Sequence, residues 1–141
     1  MGRSLTMAHA RQSKSVLVVD DEPLVRIFTV QVLEQAGFQV AEATNAQDAL
    51  NRVDGRAIDA LVTDIQMPGQ MDGCGLAWHV HAMCPNAALL IISGVTKPKA
   101  EALPPRSRFL AKPFDPQRLV REVNEAISER PSTPKTSSGG A

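Results

Sequence analysis

The sequence predicts an α/β domain: a five-stranded parallel sheet with helices on both faces, in a three-layer sandwich. Three observations predict it. Short apolar runs alternate with segments of helix length, the pattern of parallel strands joined by crossover helices. Helix caps and Gly or Pro stops stand at the boundaries of those segments. Finally, 141 residues with 43% hydrophobic content suffice for one core and are too few for two ordinary domains.

The first run, VLVV at 16–19, predicts a strand. Pro23 then opens an amphipathic helix with apolar positions Leu24, Ile27, Phe28, Val32 and Leu33, stopped by Gly37. Residues 39–43 read as a short strand, and Asn45 caps a helix in which Ala46, Ala49, Leu50 and Val53 share one face. Residues 60–63 make the third strand, ended by Asp64. A turn-rich loop, MPGQMDG at 67–73, leads into a helix through about residue 83. The fourth strand, 88–92, is broken by Ser93-Gly94. Between 95 and 107, Pro98, Pro104 and Pro105 leave room only for a short helix around 99–103, so the fourth helix is expected to be short or absent. The last strand is 108–111, and Asp115-Pro116 caps a final helix using Leu119, Val120, Val123, Ala126 and Ile127. The expected topology is flavodoxin-like, with strand order 2-1-3-4-5.

Domain organisation follows from composition. Residues 1–14 and 131–141 are polar and aperiodic and are expected to be disordered extensions flanking a domain at 15–130. The formal net charge is zero, yet four of the fifteen Lys and Arg lie in those two ends, which hold no acid, so the domain itself carries an excess of four acids. That excess argues against a nucleic-acid surface and suits a cation site. No apolar run spans a bilayer and no secretion signal opens the chain, so a cytoplasmic location with no membrane partner is expected. Cys74 and Cys84 lack the spacing of a zinc site and are expected to be free thiols.

Right-handed crossovers bring every strand's carboxyl end to one edge of the sheet, where ligands bind. That edge collects Asp20, Asp21, Asp64, Ser93 and Lys112. Carboxylates about 4 Å apart repel by about 4 kcal/mol at a protein-surface dielectric, so converging acids call for a cation. Hard oxygen ligands with an open side suit Mg²⁺. With the Lys112 ammonium, such a site would hold a dianion, and a central carboxylate could attack phosphorus to give an aspartyl phosphate. Taken singly, each residue has a plainer reading: Asp20 or Asp21 as a helix cap, Asp64 as a loop cap, Ser93 as a strand-end serine, Lys112 as a solvated side chain.

The combination VLVVDDEP, DIQMP followed by DG, IISG and LAKPF resembles the receiver domain of bacterial two-component response regulators, over 15–130. The resemblance implies that Asp64 is the phosphoacceptor, served by a phosphohistidine on a sensor histidine kinase or histidine phosphotransfer protein. It implies Mg²⁺ held directly by Asp21 and Asp64, by Asp20 through water, and by the backbone carbonyl of Gln66. It also implies that Lys112 and Ser93 bind the phosphoryl oxygens, that Phe109 is the aromatic switch residue, and that the Lys112-Pro113 bond is cis. Two departures stand out: Gln70 looks like an insertion, and the segment between Ser93 and Phe109 is several residues short.

The resulting expectation is a stand-alone receiver that switches the surface by which it binds an unidentified downstream protein, and that is not an enzyme. A phosphate sink or a phosphorylation-independent interaction module is the alternative. A phosphohydrolase passing through an aspartyl phosphate is disfavoured, because such enzymes carry a second Asp two residues after the nucleophile and Gln66 stands there. A dinucleotide-binding fold is disfavoured because no G-x-G-x-x-G follows the first strand.

Overall fold

The computed structural model describes residues 13–95 and 97–129. The ends expected to be disordered lie almost wholly outside the described residues. In chain order the elements are β1 (Ser15–Val19), α1 (Pro23–Gln35), β2 (Gln39–Ala43), α2 (Ala46–Val53), β3 (Ala60–Asp64), α3 (Gly73–Met83), β4 (Ala88–Ser93), a 3₁₀ turn (Ala100–Ala102), β5 (Arg108–Ala111) and α4 (Pro116–Ser128). The sheet is parallel throughout, in the order β2-β1-β3-β4-β5.

Alternation along each strand sorts the side chains onto two faces. Val16, Val18, Val62, Leu90, Ile92 and Leu110 point to one core with Val30 and Leu33 of α1 and Leu119 and Val123 of α4. Leu17, Val19, Leu61, Leu89 and Ile91 point to the other, with Ala49 and Val53 of α2 and Leu76 and Val80 of α3. The result is the three-layer sandwich expected. Asn45 caps α2 through Asp48 N–H, Asp72 caps α3 through Gly75 N–H, and Asp115 caps α4 through Gln117 N–H. Each side-chain oxygen satisfies an amide that has no partner inside its helix.

One helix turns a different face inward from the one its periodicity suggests. On α1 the buried residues are Thr29, Val30 and Leu33, whereas Leu24, Ile27 and Phe28 are exposed. Apolar residues run almost all the way round this helix, so spacing does not select a face. Packing against the sheet does.

Among the described residues, the β4–β5 crossover holds the 3₁₀ turn and no α-helix. The Trp78 indole Nε1–H of α3 donates to the Ala102 carbonyl at 3.0 Å and ties that turn to the body of the domain. A groove of about 870 Å³, lined by Trp78, Lys97, Leu103, Arg108 and Phe109 among others, runs beside it.

Candidate functional site

The backbone, before any side chain, assembles the site. Sheet-like hydrogen bonds run past the strand ends: Asp20 N–H to Ala43 O at 3.2 Å, Ile65 N–H to Ile92 O at 3.1 Å, and Lys112 N–H to Ser93 O at 2.8 Å. Asp64 is the last residue of β3 and pairs with Ile92; Ser93 is the last of β4 and pairs with Ala111. Asp20, Asp64, Ser93 and Lys112 therefore sit where the ladder fixes them. The loop after β3 folds back sharply, with Gly73 N–H donating to Ile65 O at 2.8 Å. A Cβ on Gly73 would run into the Asp64 backbone carbonyl, so only glycine fits there.

Carboxylate oxygens of Asp20, Asp21 and Asp64 come within 4.8 Å of one another. Asp20 is 5% exposed and Asp64 7%, while Asp21 opens to solvent. Lys112 Nζ lies 3.2 Å from Asp20 Oδ2 and 3.5 Å from Asp64 Oδ2. Burial lifts the Asp64 carboxyl above the ordinary aspartate range; Lys112 opposes that shift, and Asp20 and Asp21 reinforce it. Burial alone would lower the Lys112 ammonium, but Glu22, Asp20 and Asp64 outweigh it and hold the pKa above its usual value. The donor set fits a hard divalent cation: three oxygen anions in oversupply over one ammonium, with one side open to water.

The remaining residues singled out by sequence fall around this centre. Ser93 is 1% exposed, and its Oγ accepts the Val95 N–H at 3.1 Å. Gln66 is exposed, two residues past Asp64. The Lys112-Pro113 peptide is cis. Phe109 is half-buried against the α2/α3 side of the core, with Lys97 Nζ 6.0 Å from its ring centroid. Gln70 is exposed in the loop beside Gly69, whose φ is +108°.

Two site residues escaped the sequence reading. Glu22 Oε1 lies 3.0 Å from Lys112 Nζ, closer than either aspartate. Arg26 donates from one guanidinium nitrogen to the Asp20 carbonyl at 2.9 Å and from Nε to Glu42 at 2.9 Å, bracing the strand end. The third acid of the D-D-E run was the available signal for Glu22. It serves the lysine and not the carboxylate cluster.

Residues 16–124 match the family model of the response regulator receiver domain. The chain belongs to that family. It is 32% identical over 116 residues to the chemotaxis protein CheY of Thermotoga maritima, covering 79% of this chain and 96% of CheY. It is also 30% identical over 124 residues to the CAI-1 autoinducer sensor kinase/phosphatase CqsS of Vibrio cholerae, covering 84% of this chain but only 18% of CqsS. Among solved structures it resembles a response regulator receiver protein from Sinorhizobium medicae, with a TM-score of 0.80 and 30% identity over 85% of this chain and 98% of that one. This receiver domain thus carries the fold of two-component signalling together with an acidic cluster compatible with Mg²⁺. No described helix is long and apolar enough to cross a membrane.

Proposed function

We propose that this chain acts as a cytoplasmic receiver, taking a phosphoryl group on Asp64 from the phosphohistidine of a sensor kinase or phosphotransfer protein and relaying the change to a partner protein. One observation carries the reading: a nearly buried Asp64 lies within ligand distance of Asp20 and Asp21 and 3.5 Å from a lysine. An Asp64 carboxylate oxygen attacks phosphorus; the new O–P bond forms as the N–P bond of the donor breaks, and the electron pair stays on the imidazole nitrogen, which collects a proton. Asp20, Asp21, Asp64 and the Gln66 carbonyl would hold Mg²⁺, which supplies positive charge opposite the phosphoryl oxygens. Lys112 is near enough to pair with those oxygens. Ser93 reaches them by giving up its bond from Val95 N–H, which loosens the start of the β4–β5 crossover and frees Phe109 to respond. The receiver turns over no substrate.

Kinase-type donors are supported by the likeness to CqsS. An apolar patch at the site's rim, Leu24, Phe28, Pro113 and Phe114 with Lys112 among them, offers such a donor a landing surface. The Phe28 and Phe114 ring centroids are 6.0 Å apart. A second reading, a phosphate sink, is favoured by the reduced β4–β5 crossover, which removes a helix from the face expected to carry the output.

The test is intact mass after incubation with a small acyl phosphate and Mg²⁺. The parent gains one phosphoryl group and Asp64→Asn gains none; no gain in the parent, or equal gain in both, refutes the reading.

A further inference from the structure

Lys112 makes its shortest ionic contact outside the acidic pocket. Its Nζ is 3.0 Å from Glu22 Oε1, 3.2 Å from Asp20 Oδ2 and 3.5 Å from Asp64 Oδ2. Glu22 is separated from Lys112 by 90 residues in sequence, so the fold creates this contact. Its side chain is 60% exposed at the mouth of the site and lies outside the Asp20, Asp21 and Asp64 cluster.

The start of α1 does not account for the position of Glu22. Glu22 occupies the N-cap, yet its side chain makes no capping hydrogen bond. Asp20 Oδ1 instead accepts the Glu22 N–H at 2.9 Å, and Pro23 sets the first helical φ. The carboxylate is thereby left to the lysine.

We infer that Glu22 is a positioning residue: it parks the Lys112 ammonium while Asp64 is unmodified and so slows acceptance of a phosphoryl group. This rests on the phosphoacceptor reading above. An ammonium is a compact charge with three donors, already divided here among three carboxylates. Phosphoryl oxygens must draw it off Glu22 before it can serve them. The same exposed carboxylate repels an anionic donor approaching the mouth. Both effects act in one direction. Once transferred, the phosphoryl group brings nearly two negative charges, and Lys112 leaves Glu22 for it.

The experiment uses the full chain with Mg²⁺ and acetyl phosphate, following phosphoryl gain by intact mass for the parent, Glu22→Gln and Glu22→Ala at low and high salt. Glu22→Gln keeps the shape and removes the charge. Both variants gain mass about fivefold faster than the parent at low salt, the scale of one exposed ion pair, and the advantage shrinks as salt screens the parent's carboxylate. Rates equal to or below the parent's overturn the inference and leave the receiver reading standing. An acceleration that salt does not change also overturns it, because loosened structure rather than charge would be the cause. A parent that gains no mass overturns the phosphoacceptor reading, and this inference with it.

Discussion

Around Arg108, at the start of β5, two glutamates of α4 and the one at its C-cap each find their own N–H: Glu122 at 2.9 Å, Glu125 at 2.8 Å and Glu129 at 2.7 Å. Around Lys112, at the end of the same strand, Glu22, Asp20 and Asp64 share a single ammonium at 3.0 to 3.5 Å, with Asp21 alongside. Each region gathers several acids about one cation, but solvation separates them. Glu125 and Glu129 stay 48% and 62% exposed, so little hydration is lost, and the guanidinium fork has a donor for every partner. Arg108 and Arg118 hold Glu122 ionised below its usual range, against the opposing effect of burial. Asp20 and Asp64 are nearly buried, and burial lifts Asp64. One cluster is satisfied and fastens a helix. The other is short of positive charge, and that shortage is what a divalent cation or a rearranged lysine can relieve.

The contrast breaks most readily at the two cations. Lys112→Met leaves buried carboxylates unpaired and is expected to cost about 3 kcal/mol of stability, measured by denaturant midpoint and partly restored by added Mg²⁺. Arg108→Met is expected to cost about 1 kcal/mol, since its partners turn to water and Glu122 keeps Arg118 at 3.3 Å; this loss shrinks in high salt. Equal costs for the two would erase the distinction.

The smallest effect concerns Asp64 and has the opposite sign. Its folded pKa is raised, so between the unfolded and folded values the native state binds more protons, and stability falls as pH rises through that window. Above it the carboxylate is a net burden. Without metal, Asp64→Asn should therefore melt a few degrees higher than the parent at neutral pH, with the gap closing at acid pH and on adding Mg²⁺. A lower melting point in the variant would mean that Lys112 already compensates the buried charge in full.

The two clusters also differ in how far the sequence discloses them. The acidic edge was legible because parallel topology sends every strand end to one place, and Asp20, Asp64, Ser93 and Lys112 stand at or just past strand ends. Strand limits agreed to within one residue, with Ser15, Asp64 and Ser93 each extending a predicted strand, because the ladder continues until a side chain is needed elsewhere. The Arg108 fork was not read, although Glu122, Glu125 and Glu129 recur at helical spacing; such spacing usually marks only a solvated face, and no local rule names the strand residue opposite it. Glu22 was missed for a related reason. Its partner is 90 positions away, and adjacency to Asp20 and Asp21 suggested a shared role that the fold does not give it. The inward face of α1 was hidden by a surplus of apolar residues.

Trp78 is the chain's one tryptophan, and its indole is hydrogen-bonded to Ala102 in the β4–β5 crossover, beside the groove that Phe109 lines. The molecule's sole strong fluorophore thereby stands at the segment next to Phe109, the residue proposed to respond to phosphorylation. Emission from the unlabelled protein reports the polarity of that segment alone, so its movement can be followed in real time by light, with no dye and no added reporter.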